Sequence, residues 1–381
     1  MQTKRQKICI VATVSFALNV FMRPHIAMLA EQYEVSLIAN GVSQDVEAML
    51  GENVRFVSIN ISRKISLWRD LITLIQLYKL FHKERFDVVH SLTPKAGLLA
   101  MVAGFVAVIP NRVHIFTGQV WVNKLGVSRW LLKVLDKLTA TCATNLLTDS
   151  FTQKQFLIEQ HIVKEDKIIV LGNGSVCGVD VVRFRPDLAI RNQIRNEFGI
   201  PECAIVYLYL GRLNKDKGIE DLALAFKAIA NRNSTVHLLV VGPDEGGMDN
   251  ELCSILNECL SQFHRVGLTN SPEYYMACAD IFCLPSYREG FGSVIIEAAA
   301  VGVPSVASNI YGLVDSVIDG ETGILHEPKN IEELTKALFK LTTENELRKK
   351  MSKQAMDRAH DLFPQAIVVD AMRIFYQKIL H

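Results

Sequence analysis

Residues 284–302 read LPSYREGFGSVIIEAAAVG, and their reading decides the fold. The apolar run 279–284 ends in Pro285-Ser286, which predicts a buried strand reaching its carboxyl end. A loop over 287–292 follows. A helix is then expected from Ser293 to about Val301, with Ser293 as its N-cap. Gly290 and Gly292, on either side of Phe291, let the backbone approach a bulky ligand and expose its N–H groups. Those groups and the helix N-terminus suit an anionic or hydroxyl-rich molecule. Glu289 in the loop and Glu297 one turn into the helix frame that position. Ionised carboxylates only accept hydrogen bonds, so the pair suits the hydroxyls of a sugar or ribose. A helix-start acid and an unconnected surface acid would give the same two letters, so the surroundings must decide.

Working back toward the N-terminus, residues 211–218 read GRLNKDKG between a strand (204–210) and a helix (219–231). Arg212 and Lys217 leave the same sheet edge that carries Glu289. Arginine offers a forked contact and lysine a point charge, and two such cations suit a diphosphate. A basic loop at a strand end is also common on any surface. The strand over 236–241 ends at Gly242, which places another turn on this edge. Cations in the middle and carboxylates at either side describe a pocket for a nucleotide sugar. No GxGxxG follows the first strand, and no phosphate-binding GxxxxGK[ST] loop occurs. No Asp-x-Asp occurs either, so no metal is expected to bridge the diphosphate, and the protein cations would have to stabilise it.

The rest of the chain repeats one theme. Strands are expected at 7–14, 35–39, 54–59, 88–90, 112–116, 144–148 and 168–171, with helices at 24–31, 67–86, 96–108, 128–142 and 150–160, and a turn region at 15–23. After 200 the alternation restarts, with strands at 204–210, 236–241, 264–267, 279–284, 303–307 and 322–326. Helices are expected at 219–231, 249–262, 271–278, 330–342, 344–360 and 365–380. Strands alternating with helices imply right-handed crossovers and parallel sheets covered on both faces. The fold class is therefore α/β, with two doubly wound Rossmann-like sheets facing across a cleft. The first domain spans 1–186 and the second 187–364, with the boundary near 187–200. The last helix, 365–381, is expected to pack back on the first domain.

The chain's 381 residues are 49% hydrophobic and 21% charged, a globular composition. Eight cysteines show no CxxC pair, which suits reduced thiols and no structural metal. The basic, apolar start resembles a leader peptide, but Asn19 and Arg23 interrupt it and 7–14 is better taken as a strand. The most apolar stretch, 96–109, is short of the ~20 residues a bilayer requires, so no transmembrane helix is expected. Residues 1–186 hold 22 Lys and Arg against 14 acids, a net +8, and the remainder is −7. A basic half points to an anionic partner. Nucleic acid lacks support from any aromatic-basic or zinc pattern. A phospholipid surface fits better, since 67–86 carries Arg69, Lys79, Lys83 and Arg85 among apolar residues, although a solvated helix face has the same pattern.

Together these stretches resemble the retaining glycosyltransferases of family 4, which have the GT-B fold. GRLNKDKG resembles that family's diphosphate loop, and PSYREGFGSVIIEAAAVGVPSVAS its donor motif and following strand. Asp319-Gly320-x-Thr322-Gly323 fits as well, and the likeness spans nearly the whole chain. The resemblance implies that Arg212 and Lys217 bind the donor diphosphate. Glu289 and the N–H groups of Gly290, Phe291 and Gly292 would hold the transferred sugar, and Glu297 the ribose. Turns at Gly242–Glu245 and Gly267–Thr269 would flank the base. Transfer would be front-faced, with retention and without a metal or other cofactor. The family's glycine pair after the first strand is replaced here by Thr13-Val-Ser15-Phe16. Its loop histidine is replaced by Thr117-Gly118, with His114 a few positions early. Lys95 is a candidate for an acceptor phosphate, and Thr117 and Gln119 for the donor sugar.

These stretches also look like bacterial capsule and O-antigen transferases that extend a saccharide on a polyprenyl diphosphate. Partners implied are a nucleotide sugar (UDP favoured), a lipid-linked saccharide and, through the basic half, the cytoplasmic face of the membrane. Two alternatives remain open at this stage. One is a UDP-sugar epimerase of the same fold, and the other a non-catalytic nucleotide-sugar-binding subunit.

Overall fold

The computed structural model describes residues 5–41, 51, 53–62 and 66–380. The ends of the expected domains, residues 1–4 and 381, lie outside the described residues. The chain divides into two units, one running to Cys177 and resuming at Gln365, the other Gly178–Pro364.

In the first unit the described residues form seven parallel strands: β1 (Lys7–Val14), β2 (Glu34–Asn40), β3 (Val54–Ser58), β4 (Val88–Leu92), β5 (Asn111–Phe116), β6 (Asn145–Thr148) and β7 (Ile168–Val170). Their order is β3-β2-β1-β4-β5-β6-β7. Near-continuous apolar runs such as Ile8–Ala12 are buried because helices cover both faces of a parallel sheet. One face packs Leu18, Met22, Ile26 and Leu29 with Val368, Met372, Phe375 and Tyr376 of the final helix, Gln365–Leu380. These last four residues recur at helical spacing, so the terminal helix has one apolar stripe and it covers this unit. The Tyr376 hydroxyl meets Nδ1 of the buried His90 at 2.9 Å. The opposite face is covered by helices Leu67–Glu84, Pro94–Val106 and Gly126–Cys142, which contribute Leu77, Phe81, Ala100 and Ala140.

The second unit has six parallel strands among the described residues. They are β8 (Ile205–Leu210), β9 (Val236–Val241), β10 (Phe263–Val266), β11 (Ile281–Leu284), β12 (Ser305–Ser308) and β13 (Gly323–His326). The order is β10-β9-β8-β11-β12-β13. Strand order reverses between β8 and β11, so the chain leaves these two neighbours toward opposite edges of the sheet. In open α/β sheets ligands bind at such a point, outside the carboxyl ends of the strands.

Three expectations need correction. Residues 15–23 are helical rather than a turn: Ser15–Ala17 and a π-helical turn, Leu18–Met22, lead into Arg23–Ala30. Burial of Ala17, Leu18 and Met22 at helical spacing holds them there. The second unit begins before residue 186, since Val179 and Phe184 lie in its core and the Val179 N–H donates to Phe363 O at 2.8 Å. The stretch 187–200, where the boundary was expected, holds a helix, Leu188–Glu197, whose first turn is capped by Asp187 accepting from the Ile190 N–H at 3.0 Å. Its charged sequence hid an inward face made of arginines: Arg191 and Arg195 each reach Asp280 at 2.6 Å.

Candidate active site

The loop after β8 is built by backbone. Leu213 is buried, and its N–H donates to Pro243 O at 2.9 Å while its O accepts from the Glu245 N–H at 3.2 Å. The Gly211 and Gly242 turns are thereby zipped together. Gly242 sits at φ +136, and a Cβ there would lie 2.0 Å from Gly211 O, so only glycine fits. Its N–H already donates to Val266 O at 3.0 Å. Gly242 therefore shapes the turn and offers no donor of its own.

The two strand-end loops meet through charge. The Lys217 ammonium contacts Glu289 Oε1, and the Ser286 hydroxyl donates to the same oxygen at 2.8 Å. Both side chains are mostly buried, at 17% and 15% exposure. Arg212 is more exposed and donates to Glu245 Oε2 at 2.9 Å. Both expected cations thus stand beside a carboxylate, 72 residues away in sequence for Lys217. Ser286 was missed in the sequence, and Glu245 was placed only in a turn flanking the base, not beside Arg212; neither contact carries a pattern of its own, since each joins groups distant along the chain or set by a local turn.

The helix after β11 is Ser293–Ala300, and its N-cap is Gly292 at φ +74, not Ser293. Ser293 is already the first helical residue, because only the left-handed conformation of Gly292 turns the chain sharply enough into the helix. Phe291 does not face outward: it is 2% exposed and packs edge-on against Phe363. Any part it takes in binding is through its backbone.

Glu297 lies one turn into this helix, and no hydrogen bond to its carboxylate is found among the described residues. Burial pushes its carboxyl up to about 7, with Arg183 opposing and Glu273 adding to the shift. Arg183 itself pairs with Glu273 at 2.7 Å and donates to Asn270 O at 2.6 Å. The folded chain therefore binds a proton that the unfolded chain releases, and its stability falls as pH rises from about 4.5 to about 7. Glu297→Gln is expected to raise the melting temperature at pH 8, with the gain shrinking by pH 5. Equal shifts at both values would show a carboxyl that ionises normally.

In the first unit, Thr117 follows β5 and is half-buried. Gln119 is turned into the interior against Gln153. His114 is a packed strand residue: its Nδ1 meets Ser91 Oγ at 2.9 Å, and a Cβ on Gly97 would fall 2.3 Å from its ring. Lys95 is paired with Asp70 at 2.7 Å.

Residues 190–358 match the family described as glycosyl transferases group 1, and residues 18–174 match the glycosyl transferase 4-like domain. The chain is 31% identical, over 99% of its length and 98% of the relative's, to the capsular polysaccharide biosynthesis glycosyltransferase CapM of Staphylococcus aureus. This chain is a GT-B glycosyltransferase of family 4. The transferase is also 29% identical to the Escherichia coli UDP-Gal:alpha-D-GlcNAc-diphosphoundecaprenol alpha-1,3-galactosyltransferase, over 91% of this chain and 89% of that one. Among solved structures, Anabaena HepE in complex with UDP and glucose aligns at TM-score 0.81 and 18% identity. That alignment covers 98% of this chain and all of the other, and it shows the fold. The two parallel-sheet, Rossmann-like units are those of the GT-B class. Among the described residues no helix is long and apolar enough to cross a membrane.

Proposed function

We propose that this transferase moves a hexose or N-acetylhexosamine from a UDP-sugar to a saccharide carried on a polyprenyl diphosphate, with retention at the anomeric carbon. The product would enter a surface polysaccharide such as capsule or O-antigen, and the enzyme would work at the cytoplasmic face of the membrane. The contact between Lys217 and Glu289 carries this reading. It joins a cation suited to a phosphate and an acceptor suited to sugar hydroxyls at one strand edge, where the strand order reverses. The names of the S. aureus and E. coli relatives support the polysaccharide and the lipid-linked acceptor.

In the proposed reaction the acceptor hydroxyl attacks the anomeric carbon on the face the diphosphate leaves. The carbon–oxygen bond to the diphosphate breaks, and a diphosphate oxygen takes the acceptor proton, giving UDP and the new glycoside. Arg212 and Lys217 stabilise the charge that develops on the diphosphate, in place of a divalent metal. Glu289 orients the sugar, aided by N–H groups between Gly290 and Gly292, and Glu297 holds the ribose.

Thermal melting with UDP, GDP, NADH and ATP near millimolar tests the donor. A ligand at 100 times its dissociation constant adds ~2.7 kcal/mol, a visible shift. A shift with UDP alone is expected, and Arg212→Ala should abolish it. A shift with GDP alone would keep the reaction and change the donor. A response only to NADH or ATP would overturn the site.

A further inference from the structure

We infer that the outer face of the three-helix layer on the first unit is a docking surface for an anionic lipid bilayer, anchored by Trp68 and Trp130. This deepens the membrane-surface reading proposed above, and it assigns that role to named residues, among them those of a second helix, Gly126–Cys142, that composition does not single out.

Helices Leu67–Glu84 and Gly126–Cys142 flank Pro94–Val106, and all three cover one face of the sheet. Each flanking helix has a buried stripe and an exposed apolar stripe. The inward stripes hold Thr73, Leu77 and Phe81 on the first, and Asp136, Thr139 and Ala140 on the second. The outward stripe of the first holds Leu67, Trp68, Leu71, Ile72, Ile75 and Tyr78, all exposed. That of the second holds Val127, Trp130, Leu131, Val134 and Leu138, with Leu125 just ahead of it. Both recur at three- and four-residue steps, so each forms one continuous face. On the middle helix Phe105 and Val106 are exposed at its C-terminal end. An apolar surface of this extent marks an interaction site.

The two tryptophans are 79% and 64% exposed, and each sits within the first five residues of its helix. These helices return antiparallel to the strands they connect, so both rings lie toward the carboxyl ends of the first sheet. Amphipathic rings of this kind favour the level of lipid headgroups.

Charge identifies the occupant. The three helices carry three carboxylates between them, and each is turned inward and satisfied. Asp70 pairs with Lys95 at 2.7 Å. Glu84 pairs with Lys7 at 3.3 Å and Arg55 at 3.0 Å. Asp136 accepts from the Trp121 indole N–H at 2.7 Å. Arg69, Lys79 and Lys83 on the first helix, and Lys124 and Lys137 beside the second stripe, are exposed. Apolar stripes bordered by cations, with no carboxylate left to face outward, match a surface of anionic headgroups over acyl chains. A second copy docked through the same face would oppose like charges.

Of the three tryptophans in the chain, Trp121 is fully buried and the other two report on the surface. Full-length protein titrated with phosphatidylglycerol-containing vesicles should show a blue shift in tryptophan emission and cosediment with them. Pure phosphatidylcholine vesicles should produce roughly tenfold less binding. Trp130→Ser with Leu131→Ser should weaken binding to the anionic vesicles by at least tenfold, and Lys124→Glu with Lys137→Glu should do so most at low salt. Both double variants should keep the wild-type melting temperature, because the side chains are exposed. Binding unchanged in both would overturn the inference, as would an emission shift that follows protein concentration and accompanies dimer formation without vesicles. The UDP-induced melting shift is read separately. Loss of that shift with vesicle binding intact would sink the functional reading alone, and the reverse result this inference alone.

Discussion

Lys217→Met is expected to slow sugar transfer by roughly 10²–10³-fold, the usual cost of removing one fixed group that stabilises developing charge. The magnitude follows from the position of Lys217. Its ammonium is mostly buried and held by Glu289, whose same oxygen is held by Ser286. The Gly218 that follows is at φ +64, and a Cβ there would lie 2.1 Å from Pro285 O. The two loops therefore touch through backbone just behind the charged pair, and the ammonium needs little reorganisation as charge builds on the leaving phosphate. If the interaction strengthens in the transition state, kcat should fall much more than KM rises. Steady-state kinetics on a lipid-linked acceptor, with a melting curve to confirm folding, check this. Turnover within a few-fold of wild type would remove Lys217 from the reaction. Glu289→Gln, which keeps the shape and loses the charge, completes a double-mutant cycle. Coupling between the two substitutions would show that they act as a pair.

Asp280→Ala is expected to cost the second unit about 3–5 kcal/mol, the range for breaking a buried ion pair by removing one partner. Asp280 accepts from Arg191 and Arg195 at 2.6 Å each and from the Val206 N–H at 2.8 Å. Arg195 is 2% exposed and also donates to the carbonyls of Cys278, Pro201, Glu202 and Ala204. Without the carboxylate its guanidinium stays buried with only carbonyl partners. The same change frees the turn before β11, whose end carries Glu289. Urea unfolding would show a lower midpoint, and Glu332→Ala serves as the control, because its pair with Lys336 lies in water. Equal midpoints for the two variants would place the stability of this unit elsewhere.

Much of the architecture was legible because it depends on local pattern. Short apolar runs bounded by glycine and proline located the strands, and long amphipathic runs most helices, to within a few residues, although the helix expected over 249–262 ends at Ile255. Failures arose where local pattern and tertiary packing disagree. Residues 15–23 look like a turn until Leu18 and Met22 are seen buried. Residues 188–197 look like a charged linker until Arg191 and Arg195 are seen to face inward onto Asp280. Ser293 has the chemistry of an N-cap, but the φ of Gly292 places the cap one residue earlier.

By itself the sequence determined the two alternating α/β halves, the return of the final helix and the identity of the charged groups at the second sheet's strand ends. Those are set by periodicity and by residue chemistry at loop positions, which need only neighbours along the chain. Only the tertiary structure decided that Lys217 meets Glu289 while Arg212 meets Glu245, because those partners arrive on loops from different strands. It also turned Phe291, Gln119 and His114 into the interior. Finally, it decided which stripe of helix Gly126–Cys142 is core and which is surface. Periodicity alone would turn the more apolar stripe inward, yet the buried side is that of Asp136, Thr139 and Ala140, where the Trp121 indole N–H satisfies the carboxylate, and Trp130 is left outside.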